Sequence, residues 1–298
     1  MIRYRVQHVT SYRYGEPVTV GHHLAHLLPR GTERQEVHAA SVILEPPEEH
    51  RGEHVDTFGN QATYLLVPGP TEALTVTAIC EVSVAWWAPW PDDNATPGPS
   101  AAWDDVARTL GSDYSPAAVD ARRYRVASPF VAPSETLAQY ASASFPAGRP
   151  LDEAAVALMS QIYADFTFDA SFSDVSTPLS EVMSERRGVC QDFAHLMIGC
   201  LRSLGLPARY VSGYIETTPP PGQPRLAGAD ASHAWCSLWV PNRGWLDCDP
   251  TNNQAPPQHH VTLAWGRDYA DVTPLRGVVY GPAAEQELAV AVDVTRVA

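Results

Sequence analysis

Cys190, His233 and Asp249 are the three residues of this chain whose types and settings could do chemistry together. A thiol nucleophile needs a base to take its proton and return it to the leaving group. It gains further from a third group that fixes the base's tautomer. Cys190 follows a tight turn, Arg187-Gly188-Val189, and opens a run in which Phe193, Leu196, Met197, Cys200, Leu201 and Leu204 recur at the spacing of one helical face. Gly205 and Pro207 end that run. A sulfur at a helix start meets unpaired backbone N–H groups and the positive end of the helix dipole, a setting that suits a nucleophile. An inert buried cysteine fits the same helical pattern, so the position alone does not decide the matter.

His233 begins a strand, and Asp249 ends the next one, where Pro250 stops it. A hairpin turning at Pro241-Asn242-Arg243-Gly244 brings these two ends to one sheet edge, where the cysteine helix would start. A symmetric two-residue turn at 242–243 would set residue 252 opposite His233, so a three-residue loop or a bulge is needed for Asp249 to reach it. Asp247 shares a strand face with Asp249 and is the rival orienter. Trp235, Asp192 and Arg209 are the further residues that could touch substrate or the oxyanion, and each also has a plainer role. Trp235 could shield the histidine from water or simply pack in the sheet. Asp192 is first of all a partner of the helix dipole. Arg209 could pair with Asp192 or with a carboxylate across the sheet before acting as a substrate clamp. His195 falls on the helix side away from the apolar stripe, which suits a hydrogen bond to the N-terminal domain. Cys200, Cys236 and Cys248 occupy apolar positions and read as core.

The elements that must position these residues divide the chain into three parts. Residues 1–88 read as all-β: Ile2, Tyr4 and Val6 alternate with polar neighbours, as do Leu74, Val76, Ala78, Cys80, Val82 and Val84. Shorter runs at 37–44 and 62–67, with a turn at Phe58-Gly59-Asn60-Gln61, suggest an antiparallel β-sandwich. Residues 89–149 form a linker rich in Pro, Trp and Asp, with one short helix near 134–143. Trp86, Trp87, Trp90 and Trp103 are expected to pack between domains. From residue 150 to 298 helices come first (Leu151 to Phe166, then a short one from Thr177-Pro178, then the cysteine helix). Strands follow at 208–217, 233–240 and 245–249. That order implies an α+β core with the nucleophile's helix packed on an antiparallel sheet. A last strand, with Leu288, Val290, Val292 and Val294 on one face, could complete the core sheet or join the N-terminal one.

Gly188-Val189-Cys190-Gln191-Asp192-Phe193-Ala194, Ser232-His233-Ala234-Trp235 and Asp249-Pro250-Thr251-Asn252 together resemble the bacterial two-domain branch of the transglutaminase-like superfamily, a branch described as cysteine proteases. Leu204-Gly205-Leu206-Pro207-Ala208-Arg209-Tyr210 and Gly266-Arg267-Asp268-Tyr269 are also as that branch has them, so the likeness covers nearly the whole chain. The resemblance implies a papain-like core in which Cys190 is the nucleophile, His233 the general base and acid, and Asp249 the orienter. It implies attack on an amide carbonyl of a protein or peptide substrate, such as a glutamine side chain, through a thioester. Hydrolysis, transfer to an amine, and loss of catalysis with retention of partner binding all occur in the superfamily. In animal relatives a tryptophan upstream of the nucleophile completes the oxyanion hole; here Phe166 and Phe168 occupy that region and have no donor. Calcium serves some of those relatives, but no loop with the required oxygen spacing is present.

A net charge of -14 argues against nucleic acid and anionic membranes as partners. No apolar run reaches spanning length, and the N-terminus alternates like a strand from its first residues, which leads to an expectation of a cytoplasmic protein. Five scattered cysteines with no CxxC pair fit reduced thiols and give no structural zinc site. His22, His23 and His26 have no acidic partner at ligand spacing, so no metal and no cofactor is expected.

Overall fold

Two strands of 24 residues, β1 (Ile2–Ala25) and β4 (Gln61–Val84), carry the N-terminal part of the computed structural model. The structure describes residues 1–85, 98–216, 231–255, 259–282 and 285–297. Trp86, Trp87 and Trp90, and residues 89–97 of the expected linker, lie outside them. Between β1 and β4 come β2 (Gln35–Glu45) and β3 (His50–Val55). Short helices follow: α1 (Trp103–Thr109), α2 (Pro116–Arg122) and α3 (Glu135–Ala141), then the longer α4 (Leu151–Asp165). The first two occupy a stretch expected to be irregular. α2 forms because the Ser115 hydroxyl accepts the Ala118 N–H and Pro116 takes the first helical position, where its missing N–H costs nothing.

The second half begins with a two-stranded parallel pair, β5 (Thr167–Phe168) and β6 (Arg187–Gly188), which brackets α5 (Leu179–Glu185). Then come α6 (Cys190–Ser203), β7 (Ala208–Ile215), β8 (Ala231–Val240), β9 (Gly244–Cys248), β10 (His260–Gly266), α7 (Tyr269–Val272), β11 (Leu275–Tyr280) and β12 (Gln286–Arg296). Strands β10-β7-β8-β9 form one antiparallel sheet, and α6 packs on one of its faces. This is the α+β core the helix-then-strand order implies. Among the described residues, no helix is long and apolar enough to cross a membrane.

The last two strands join the N-terminal sheet, one of the two places left open for the chain's end. β12 pairs with β1 from Tyr4↔Arg296 to Tyr14↔Gln286, and β11 pairs with β1 from Val20↔Tyr280 to Ala25↔Leu275. The chain's end therefore belongs to the N-terminal sheet, not to the core sheet of residues 150–298. The cause is the open edge of β1, which needs backbone partners, together with Val292 and Val294, which are buried in the main core. The expected sandwich forms from one six-stranded sheet. Register shifts between Arg13 and Val20 bend it, and its halves enclose a small core of Val18, Leu27, Val42, Leu44, Leu65 and Leu74. Tyr4, Val6, Cys80 and Val82 of the same sheet join the core that surrounds α6, so the two parts share apolar packing.

Candidate active site

α6 begins at Cys190 because the preceding turn closes on itself. Asp192 Oδ2 accepts the Val189 N–H at 2.8 Å and also the Ser173 hydroxyl, which satisfies a donor that the helix start would leave orphaned. Gly188 makes room for this: a Cβ there would lie 2.7 Å from Asp192 Oδ2. Burial raises the Asp192 carboxyl, and the hydrogen bonds from Ser173 and Val189 oppose that shift. Asp192 thus holds the turn before Cys190, as expected of a helix-start acid, and does not line the cleft. Residues Asp192 to Arg202 of α6 are all buried, as befits a central helix, while Cys190 keeps partial exposure.

The β8–β9 hairpin settles the register left open by the sequence. Val240 pairs with Gly244 and Cys236 with Cys248, which gives a three-residue loop, with Asn242 and Gly244 at φ of 61° and 80°. The ladder ends at Cys248, and the chain turns away at Asp249, whose backbone bridges to Gln254. His233 Nε2 then donates to Asp249 Oδ2 at 2.8 Å. His233 also lies within hydrogen-bonding reach of Cys190, and Nδ1 is the ring nitrogen left to face it. Asp247 takes no part: it lines a different cavity on the far side of the sheet.

Asp249 is held more tightly than its sequence context suggests. Its Oδ2 also accepts from Asn252 Nδ2 at 2.7 Å and from His260 Nε2 at 2.9 Å. Its Oδ1 accepts the Thr251 and Asn252 N–H groups at 2.9 and 3.3 Å. The burial of Asp249 favours the neutral acid, but the donors from His233 and His260 outweigh it and hold the carboxyl well below the usual range. For His233, burial favours the neutral ring, but the hydrogen bonds and charges of Asp249 and Cys190 overcome this and lift it to about 10. His233 is thus held between a carboxylate and a sulfur, a setting that favours its protonated form. The donor atoms of His233, Asp249 and His260 lie within 4.8 Å of one another, close enough to surround a cation. Each imidazole nitrogen, however, already donates to the shared oxygen, so a metal would have to displace both hydrogen bonds.

Trp235 stacks beside His233, ring centroids 6.1 Å apart, and meets His260 edge-on at 5.0 Å. It therefore braces both rings from behind the cleft. Of the alternatives open to Arg209, the structure places it beside a carboxylate across the sheet: it lies buried between Trp245 and Trp265, in register with Asp247, and does not line the Cys190 cleft. His195 also differs. Its Nε2 accepts the Tyr269 N–H at 3.2 Å and its ring stacks on Phe130, so its partner is the α7 start and not the N-terminal domain. Burial, with Arg202 nearby, pulls it down to about 3, which keeps the ring neutral and able to accept.

The cleft over Cys190 has a volume of about 470 Å³. Its floor comes from Cys190, Tyr210 and His233, and its opposite wall from Tyr12, Leu288 and Val290 of the N-terminal sheet. His8 on that sheet is tied to Tyr214 of β7 at 2.9 Å, which fixes one part against the other. The sequence pointed to no role for the N-terminal strands at the site, because their contribution depends on the tertiary fold. His260 carried no signal for the same reason: two strands, β7 and β8, lie between β10 and the end of β9 that leads into its partner Asp249.

Comparison with known proteins identifies the family. Residues 4–83 match the bacterial transglutaminase-like N-terminal region, and residues 138–250 match the transglutaminase-like superfamily. An uncharacterized Mycobacterium tuberculosis protein is 40% identical over 299 residues, covering 98% of this chain and 92% of its own length. One from Mycobacterium leprae is 30% identical over 302 residues, covering 100% of both. A Pseudomonas aeruginosa protein-glutamine gamma-glutamyltransferase is 42% identical over 72 residues, which are 24% of this chain and 11% of that enzyme. A crystal structure from Cytophaga hutchinsonii, described as that of a candidate cysteine protease, superposes with a TM-score of 0.76 at 20% identity, covering 100% of this chain and 91% of that one. The chain belongs to the bacterial transglutaminase-like family, with the N-terminal region and the papain-like core of that family both present.

Proposed function

We propose that this protein is a thiol-dependent acyl-transfer enzyme that cleaves an amide bond of a protein or peptide through a thioester on Cys190. The observation that carries the reading is the line Cys190–His233–Asp249, a partly exposed sulfur at a helix start facing a buried, carboxylate-bound imidazole. The Cys190 sulfur adds to the amide carbonyl, and the developing oxyanion meets the Cys190 backbone N–H at the helix start. His233 gives its proton to the departing ammonia or amine as the C–N bond breaks, leaving the thioester. Water or a primary amine then attacks the thioester carbonyl, His233 takes the attacker's proton, and the sulfur leaves. Asp249 keeps the His233 ring oriented with Nδ1 toward the sulfur. The cleft's apolar wall of Tyr12, Leu288 and Val290 suits a substrate with an apolar side chain beside the scissile amide.

The test is incubation with a glutaminyl peptide, with and without a primary amine, following ammonia release and the mass of the peptide. Ammonia release that Cys190→Ala abolishes supports the reading; an amine adduct identifies a transferase, and its absence a hydrolase. If peptides with either a glutamine side chain or a scissile backbone amide remain intact in the presence of wild-type protein, the enzyme reading fails and a partner-binding scaffold replaces it.

A further inference from the structure

The core sheet has a second face. Ala208, Tyr210, Ala234, Cys236 and Leu238 pack in the core with α6. Because side chains alternate along a strand, Arg209, Val211, Trp235 and Asp247 point the other way, into a cavity of about 590 Å³. That volume is in the range of small-molecule sites. The cavity shares no lining residue with the Cys190 cleft.

Residues from four separate segments line this space, and each keeps one buried polar atom without a partner. Among the described residues, Arg30 Nε, Arg209 Nε and Trp235 Nε1 are buried donors with no acceptor, and Asp247 Oδ1 is a buried acceptor with no donor. Arg209 is 7% exposed and Trp235 1%. Buried polar groups nearly always have partners, so four orphans around one void call for an explanation. The guanidiniums are also fixed in place. Arg209 lies 4.1 Å from the Trp245 ring centroid and 3.6 Å from that of Trp265, and Arg30 lies 3.2 Å from Trp265. Stacking of this kind sets the guanidinium plane; Arg30 Nη1 already donates to the Phe58 carbonyl and to Asn60 Oδ1, so a ligand would meet its other N–H groups and those of Arg209. Burial pulls both arginines down to about 10, partly offset for Arg209 by Asp247, so both stay charged at neutral pH with little solvent to stabilise them. Other cations at the rim are already engaged: Arg123 with Asp120 at 3.4 Å and Arg243 with Asp152 at 3.1 Å.

We propose that this cavity binds a small organic oxyanion, a carboxylate or a phosphate ester, that also carries a hydroxyl or amino donor. The oxyanion takes the N–H groups of Arg30, Arg209 and Trp235, and the donor takes Asp247. Trp235 separates this site from the cleft, and through its contacts with His233 and His260 an occupant would touch the back wall of the imidazole pair.

Calorimetric titration of the full chain with glycerate, glycerol phosphate and glycerol tests the proposal, since the three differ mainly in the oxyanion. Saturable binding of glycerate or glycerol phosphate, at least ten-fold tighter than glycerol, is expected, and the anion that binds identifies the carboxylate or the phosphate source. Arg209→Leu and Arg30→Gln should each weaken binding ten-fold or more, and Cys190→Ala should bind as wild type. Arg30→Gln, at a residue outside the core sheet, serves if Arg209→Leu does not fold. The proposal is overturned if neither anion saturates the wild type, if glycerol binds equally well, if the folded arginine variants bind unchanged, or if Cys190→Ala loses binding.

Discussion

His260 Nε2 lies 2.9 Å from Asp249 Oδ2, the same oxygen that His233 Nε2 reaches at 2.8 Å. The two imidazoles come from β10 and β8, which flank β7, so one carboxylate ties together strands that do not touch. His260 is in this sense a positioning residue: it restrains the Asp249 carboxylate and draws off part of its charge. His260→Phe keeps the edge contact with Trp235 but removes the N–H. The freed carboxylate charge should concentrate on His233, so that His233 holds its proton more tightly and its titration moves up. Turnover should drop roughly ten-fold, the scale seen for outer partners of a functional histidine, with little change in KM. His260→Gln, which keeps a donor, should recover part of the loss. Imidazole NMR together with steady-state kinetics reads both effects; unchanged titration and unchanged turnover in His260→Phe would remove His260 from the mechanism.

The protonation of His233 has a consequence for stability. Its native value of about 10 lies above the ordinary 6.5, because Asp249 and Cys190 outweigh burial. Its contribution to stability is therefore complete below about pH 6.5 and is lost as pH rises through about 10. Asp249 runs the other way. Its native value lies below the ordinary 3.8, so its contribution holds above that pH and is lost as pH falls beneath it. Urea midpoints measured across pH should show an alkaline decline in the wild type that Asp249→Asn largely abolishes. A His233 resonance that titrates near 6.5 in the native protein would contradict the ion pair.

Cys190 is partly exposed, whereas Cys80, Cys200, Cys236 and Cys248 are buried. Burial pushes Cys80 up to about 12 and raises the other three as well, which keeps them as thiols at neutral pH. Iodoacetamide should therefore add one label to the native protein, and none to Cys190→Ala. Intact-mass spectrometry with and without denaturant counts the labels. Equal labelling of the two native proteins would show that another thiol is the reactive one.

The parts of the site that were legible in the sequence are those fixed by local rules. The apolar stripe from Phe193 to Leu204 placed Cys190 at a helix start, and Pro250 marked where β9 had to stop. The hairpin register was only half legible, because Asn242 and Gly244 permit a three-residue loop without requiring one. What escaped was set by tertiary packing. His260 meets Asp249 only because β10 returns beside β7. Arg209 is held by Trp265, a residue 56 positions later whose approach depends on the same return. The alternation of Val292 and Val294 announced a strand, but either of two sheets offered an edge, and the choice fell to β1.

Gly188 is the position where a single methyl group should disturb Cys190 most. It sits one residue before the N-cap Val189, and a Cβ there would meet Asp192 Oδ2 at 2.7 Å and Asp192 Cβ at 2.9 Å. The second contact is with a backbone-anchored atom, so rotating the carboxylate alone does not relieve the clash. In Gly188→Ala, Asp192 must shift and give up the Val189 N–H and the Ser173 hydroxyl, which leaves buried polar groups unpaired at a cost of about 1–3 kcal/mol. The helix start then moves, and the Cys190 sulfur moves with it. Asp192→Asn keeps the shape and one acceptor oxygen, so it should cost less. The expected order is wild type, then Asp192→Asn, then Gly188→Ala, both in melting temperature and in the rate of Cys190 alkylation. A Gly188→Ala protein that melts with the wild type and alkylates at the same rate would mean that this turn does not control where the sulfur sits.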